Sequence, residues 1–327
     1  MKVLITGAGG FIGGYLARHC IEAGSSVLGI DIREPEAELA GASFEPCDVL
    51  DSKRLSELIS AFRPDRIFHL AAQSYPTVSV LRPFETMSTN AGGTISLFEC
   101  IRHSGITPIV VLACSSAEYG PVAAEDLPVQ EDHALRPLHP YGVSKVAQDL
   151  LAAQYFANHS IPAIRIRIFK TSGPGKLGDV CSDLAKRAVE IEMGIRPSIM
   201  EAGNLTTQRT IVDVRDLVPA LWLSAQHCEP GEVYNVGGDD TYSVQDLVEA
   251  IRELSKLDFK VEQRSDLMRA CDEAVVAGDN VKFRNCCEWS PRIPITTTLR
   301  DILDWWRTRL TGAMPSRSNQ ETARVRN

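Results

Sequence analysis

An α/β fold built on a doubly wound parallel sheet is predicted by three observations. Short β-branched runs alternate with amphipathic stretches through the first 170 residues. Glycines in GxxGxxG spacing stand between the first such run and the stretch after it. Past Phe169 the alternation loosens, which predicts a smaller C-terminal α/β lobe. Strands that alternate with helices are joined by right-handed crossovers and lie parallel.

Each element follows from its own pattern. KVLIT (2–6), SVLGID (26–31), RIFHLAA (66–72), PIVVLAC (108–114) and AIRIRIF (163–169) read as strands, with SFEPC (43–47) a short extended run. FIGGYLARHCIEAG (11–24), DSKRLSELISAF (51–62), a long stretch from Pro83 to His103, and PYGVSKVAQDLLAAQYFANH (140–159) read as helices. KTSGPGKLGD (170–179) reads as a Gly/Pro-rich loop. SDLAKRAVEIEMG (182–194), VDVRDLVPALWLSA (212–225) and SVQDLVEAIRELS (243–255) read as helices, the last with a Ser N-cap. GEVYNVGG (231–238) reads as a strand. The expected division is a dinucleotide-binding domain over 1–170, with 211–238 rejoining it. A substrate lobe is expected over most of 171–311, and a disordered polar tail over 312–327.

Composition narrows the function. A net charge of -8 with no block of Lys and Arg argues against nucleic acid as a partner. The nine cysteines include no CxxC pair, so no structural zinc site is expected, and a reduced, cytoplasmic thiol set is the default. The N-terminal MKVLITGAGG shows no signal-peptide pattern, and no apolar run approaches the length of a membrane span.

Gly7, Gly10 and Gly13, with Phe11 and Ile12 opening the helix, form a Rossmann-type turn. There the backbone can approach a pyrophosphate that sits on the helix N-terminus. Asp31 ends the second strand, where a carboxylate accepts ribose hydroxyls and repels a 2′-phosphate. That favours NAD; Arg33 leaves NADP open. Asp48 and Val49 follow the short extended run and are candidates for adenine contacts. Tyr141 and Lys145 are four apart at a helix start and share a face. A tyrosine has an ordinary pKa of about 10, so a base near neutrality needs a lowered value, for which the lysine ammonium is the candidate source.

Together TGAGGFIG, Asp31, HLAAQS (69–74), SSAEYG (115–120), Tyr141-x-x-x-Lys145 and RIFKTSGPG (167–175) resemble the extended short-chain dehydrogenase/reductase family. The resemblance runs from residue 1 to about 309 and implies an enzyme acting on nucleotide sugars. It implies that Ser115 and Tyr141 hold and protonate a sugar oxygen, and that Lys145 binds the nicotinamide ribose. Leu70, Ala71 and Ala72 would line the cofactor; Ser74, Ser116 and Ala117 would line the sugar. The C-terminal half is most similar to reductases of GDP-4-keto-6-deoxy-mannose and to GDP-mannose 4,6-dehydratases. That likeness assigns Asn204, Arg209 and Arg269 to the nucleotide. Lys170 stands where the family usually has Asn, and would place a cation near the substrate. The helix pair around 83–103 and from Tyr141 implies a homodimer.

A dehydratase of this family carries an acid two residues before the Tyr-Gly of the loop. Here that position is Ala117, and Glu118 comes one later. In an extended segment Glu118 would face away from the sugar, as a structural carboxylate. Ketoreduction and 4-epimerisation with retained NAD both remain, dehydration stands third, and an NAD(P)-sensing binding protein is the non-enzyme alternative.

Overall fold

The computed structural model describes residues 1–35, 41–268 and 273–313. In chain order the elements begin with β1 (Lys2–Thr6), α1 (Phe11–Glu22), β2 (Ser26–Asp31), β3 (Ala42–Pro46), α2 (Ser52–Phe62) and β4 (Arg66–His69). Next come α3 (Pro76–Leu81), α4 (Pro83–Met87), one π-helical turn (Ser88–Gly92), α5 (Gly93–Ser104), β5 (Ile109–Ser115), α6 (Pro140–His159), β6 (Ala163–Ile168) and β7 (Lys170–Ser172). They continue with α7 (Val180–Glu192), β8 (Ile199–Ala202), β9 (Gln208–Asp213), α8 (Val214–His227), β10 (Val233–Val236) and β11 (Thr241–Ser243). The last are α9 (Val244–Ser255), β12 (Lys260–Gln263), β13 (Val275–Val276), α10 (Val281–Cys287) and α11 (Ile295–Ala313).

Seven strands form one sheet in the order β10-β6-β5-β4-β1-β2-β3. Every pairing in it is parallel. The order reverses between β1 and β4, and in such sheets ligands bind outside the carboxyl ends of the strands at that crevice. Side chains of a strand alternate between its two faces, so β1 feeds two cores. Val3 and Ile5 pack with α1 and α8 residues such as Leu16 and Leu217, whereas Leu4 packs with α2 and α5 residues such as Leu55 and Leu97. Covering both faces is what makes these strands continuous apolar runs.

The chain divides into two compact units. The first comprises Met1–Thr171, Thr207–Tyr242 and, among described residues, 273–293. The second comprises Ser172–Thr206, the described part of 243–268, and Pro294 onward. In the second unit α7, α9 and α11 pack together beside the parallel pair β12-β8, and Trp306 donates its indole N–H to Ser182 at 3.1 Å.

Several expectations need correction. The segment expected to rejoin the first unit over 211–238 spans Thr207–Tyr242, and 273–293, placed in the second lobe by the sequence, also belongs to the first unit. The stretch read as a loop from Lys170 begins with β7, which pairs with β9. Residues 212–213, read as helix, end strand β9, and Asp213 caps α8 by accepting from the Arg215 amide. The long helix from Pro83 is interrupted by the π-helical turn, and α3 precedes it. Helix α11 runs to Ala313, into the expected tail, whose remainder lies outside the described residues. Among the described residues no helix is long and apolar enough to cross a membrane.

Charge ties β6 to α6. Asp149 of α6 accepts Arg165 Nη1 at 2.7 Å and Arg167 Nε at 3.0 Å, and its side chain is fully buried. Removing one member of a buried ion pair costs about 3–5 kcal/mol, because the partner stays buried and unpaired. Asp149→Ala is therefore expected to lower the stability measured in urea by an amount of that order; an unchanged midpoint would mean that water reaches both arginines.

Candidate active site

The glycine turn after β1 is shaped by close approach. Gly7 has φ +76°, and a side chain there would stand 2.7 Å from the Ala71 amide nitrogen of the neighbouring β4 loop. A Cβ on Gly13 would overlap the Gly7 carbonyl, so glycine lets α1 sit directly on the turn. Gly10 precedes α1 and gives it no side-chain cap. The first amides of a helix are orphan donors with a positive dipole end, so this N-terminus suits an anion. Phe11 and Ile12 turn their side chains toward the core beneath the sheet.

Asp31 ends β2 beside that turn. Its carboxylate accepts the Gly9 amide at 3.0 Å and the Arg33 amide at 3.1 Å, while the Arg33 side chain lies at an exposed position. Asp48 is exposed and accepts the Leu50 amide at 2.9 Å, and Val49 is buried against Gly93.

A polar chain runs from the glycine turn toward α6. Thr6 Oγ1 meets His69 Nδ1 at 2.8 Å and accepts the Ala71 amide at 3.1 Å. His69 Nε2 lies 3.1 Å from Thr94 Oγ1, which also accepts Gln148 Nε2 at 2.7 Å. Burial, with a smaller effect from Lys145, pushes His69 down to about 3, so it is a neutral link rather than an acid or base. In the π-helical turn Asn90 takes the Gln73 amide at 2.8 Å and donates to Ser144 Oγ at 2.8 Å. Leu70, Ala71 and Ala72 remain partly open along this loop and Ser74 is exposed.

Ser115 ends β5, and Tyr141 and Lys145 lie on the first turns of α6. Pro140 opens that helix, and His139 accepts the Gly142 amide at 3.1 Å while its ring stacks on Tyr141 at 5.9 Å. Tyr141 hydrogen-bonds Ser115. Lys145 donates to the Ala113 carbonyl at 2.8 Å, and its Nζ lies 5.9 Å from the Tyr141 ring centre. Burial pushes the Tyr141 phenol up to about 12, against the Ser115 bond, and holds the Lys145 ammonium below its ordinary range. In the protein without its dinucleotide, enclosure keeps the phenol protonated near neutrality.

The loop after β5 is not extended. Ser116–Glu118 form a 3-10 turn closed by a reciprocal cap. Ser115 Oγ accepts the Ala117 amide at 3.2 Å, and Glu118 Oε1 accepts the Ser115 amide at 2.7 Å. Glu118 nevertheless faces inward, because Arg167 Nε is 3.2 Å from its second oxygen. Ser116 and Ala117 stay partly open. Arg167 also donates to Tyr119 Oη at 2.9 Å, which donates to Asn235 at 2.7 Å.

Of the residues expected to hold substrate, Lys170 lies on β7 and Arg209 on the adjoining β9 in the first unit. Arg209 donates to the Glu273 carbonyl at 2.8 Å and pairs with its carboxylate at 3.5 Å. Asn204 belongs to the second unit, where its Oδ1 accepts the Thr206 amide at 3.0 Å. Arg269 lies outside the described residues. Thr6, His69, Asn90, Asp149 and Arg167 were not anticipated. The Asn-Ala-Gly-Gly run inside a helical pattern was the available signal for Asn90, since glycine in a helix interior costs about 1 kcal/mol.

Glu118 is pushed up to about 8, first by burial and then by Asp149, with Arg167 opposing. A folded value above the ordinary 4.5 means that its contribution to stability is complete below 4.5 and is lost as pH rises through about 8. Cys114, Lys145, Asp149 and Arg167 are the titratable or charged groups around it. Relative to Glu118→Gln, the native protein is expected to lose melting temperature between pH 5 and 8; parallel curves would place an ionised Glu118 there.

The profile of the family described as GDP-mannose 4,6 dehydratase matches residues 4–302. The chain is 27% identical over 312 residues to a GDP-6-deoxy-D-mannose reductase of Pseudomonas aeruginosa, covering 94% of this chain and 98% of that one. It is 28% identical over 320 residues to a UDP-glucose 4-epimerase of Streptomyces lividans, covering 93% and 95%. The solved structure of RMD from Pseudomonas aeruginosa complexed with NADPH superposes with a TM-score of 0.83 at 26% identity, covering 94% and 99%. That of a Thermus thermophilus UDP-glucose 4-epimerase complexed with NAD superposes with a TM-score of 0.84 at 25% identity, covering 94% and 99%. With its glycine turn, its Ser115–Tyr141–Lys145 group and a match over nearly its whole length, the chain belongs to the GDP-mannose 4,6 dehydratase family, within the extended short-chain dehydrogenases/reductases.

Proposed function

We propose that the chain reduces the 4-keto group of a GDP-linked 4-keto-6-deoxy-hexose, with NAD(P)H as the reductant. The observation that carries this reading is the acid–base content of the site. Tyr141 is held protonated and hydrogen-bonded to Ser115, and the position where dehydration would need a carboxyl is Ala117. Glu118 is spent on the Ser115 amide and Arg167. What remains is one proton donor, which is what reduction of a ketone to an alcohol requires.

The residues present fit a dinucleotide. The glycine turn leaves no room for a Cβ at Gly13, α1 opens uncapped, and Asp31 offers carboxylate oxygen at the end of β2. Gly7, Gly10 and Gly13 would hold the pyrophosphate, Asp31 the adenosine ribose and Lys145 the nicotinamide ribose. The bound nicotinamide supplies the hydride. Ser115 orients the substrate carbonyl oxygen by a hydrogen bond, and the Tyr141 hydroxyl delivers the proton to it. Asp31 repels a 2′-phosphate at short range, so NADH is the expected reductant, with NADPH the weaker one.

A second reading, 4-epimerisation with retained NAD, is favoured by Asp31 and by the relatives described as UDP-glucose 4-epimerases. The two readings separate in one assay. Incubated with GDP-4-keto-6-deoxy-mannose, the enzyme is expected to oxidise one NADH per alcohol formed, and Tyr141→Phe to lower kcat by roughly 10²–10⁴. Near-stoichiometric NAD released from the denatured protein, with nucleotide hexoses interconverted and no net oxidation of NADH, would establish the epimerase instead.

The chain is also proposed to be a homodimer through α5 and α6. Ile95 on α5 and Val143 and Leu150 on α6 are exposed, the last two seven residues apart and so on one face. Leu81 and Phe84 nearby in the chain are 82% and 84% exposed. Leu150→Asp is expected to shift the sedimentation coefficient from dimer to monomer; a wild-type monomer would overturn the assignment.

A further inference from the structure

Three cysteine sulfurs converge at the end of the sheet opposite the active site. Cys228 caps the C-terminus of α8 and precedes β10, while Cys286 and Cys287 close α10. Cys228 Sγ is 3.5 Å from Cys287 Sγ and 3.6 Å from Cys286 Sγ, and all three sulfurs lie within 4.8 Å of one another. Consecutive residues of an α-helix point about 100° apart, so two that reach one sulfur are an uncommon arrangement. Gly231, three residues after Cys228, donates its amide to the Ala163 carbonyl at the start of β6. Ser115 ends β5, so in this parallel sheet the two sites lie toward opposite ends of the strands.

We propose that Cys228, Cys286 and Cys287 form a thiolate site for a d10 metal ion of the zinc class, structural in role. Zinc–thiolate bonds of about 2.3 Å place tetrahedral ligand sulfurs ~3.8 Å apart, within a few tenths of the two shorter separations here. A disulfide needs about 2.05 Å between two sulfurs and leaves the third unused. The surroundings suit a largely buried metal site. Cys228 and Cys287 are buried, with Tyr234, Phe283 and Trp289 in the same core cluster. The Phe283 and Trp289 rings meet edge to face at 5.5 Å. Cys286 is partly exposed, which gives the ion an entry path and leaves a fourth position to water. Its sulfur also donates to the His227 carbonyl at 3.1 Å. Soft thiolates select zinc, copper(I) and cadmium over magnesium or calcium. Binding converts three thiols to thiolates, so three protons leave as one divalent ion enters. The ion would tie α8 to α10 beside the edge strand β10 and raise stability without entering the reaction.

The experiment titrates the reduced, chelator-treated full chain with cadmium(II). One equivalent is expected to produce sulfur-to-metal charge-transfer absorbance, release three protons and raise the melting temperature. Zinc(II) is expected to compete for the site. Cys228→Ser and Cys286→Ser are each expected to abolish the saturable band while keeping the far-ultraviolet circular dichroism of the native chain. Either of two results overturns the proposal: no saturable band at one equivalent, or a band of full intensity in both variants.

Discussion

The guanidinium of Arg167 holds together the three elements on which the catalytic group stands. It sits on β6, bonds Asp149 of α6, and lies against Glu118 of the turn that follows β5. Through Asp149 it fixes the helix that carries Tyr141 and Lys145; through Glu118 it fixes the amide of Ser115. Charges removed from water persist only when paired and hydrogen-bonded, so none of these groups can shift alone. The distance between Ser115 and Tyr141 is therefore set by charge pairing beneath them as much as by apolar packing. Local rigidity of this kind is what acid–base chemistry needs, since a small misplacement of a reacting group is costly in rate.

At the other end of the crevice the constraint is steric. Gly7 and Gly13 allow the β1 turn, the β4 loop and α1 to approach more closely than side chains would permit. Thr6, His69, Thr94 and Gln148 then carry hydrogen bonds from that turn to α6. His69 serves there as a neutral ring, because burial holds its pKa down to about 3. The glycine turn and helix α6 are thus joined by one buried polar chain, not by the sheet alone.

Much of this was legible before any coordinates. The β1–α1 pair, the carboxylate ending β2, and the i,i+4 placement of Tyr141 and Lys145 follow from local pattern and spacing, which act within a few residues. The conformation of the Glu118 loop was not legible. An extended loop was expected, whereas a reciprocal cap winds Ser116–Glu118 into a turn and Arg167 draws the carboxylate in. Arg167 is 49 positions further along the chain, and no local rule connects the two.

By itself the sequence determined the parallel α/β class, the glycine turn after β1 and the i,i+4 pairing of Tyr141 with Lys145, because periodicity, glycine spacing and short-range geometry decide those. Only the tertiary structure decided the rest. It returned 273–293 to the first unit, interrupted the helix after Pro83 with a π-helical turn, and brought Cys228 to Cys286 and Cys287. These outcomes depend on which distant residues share a dielectric environment or a contact, and that is fixed by chain crossing, not by neighbours in sequence.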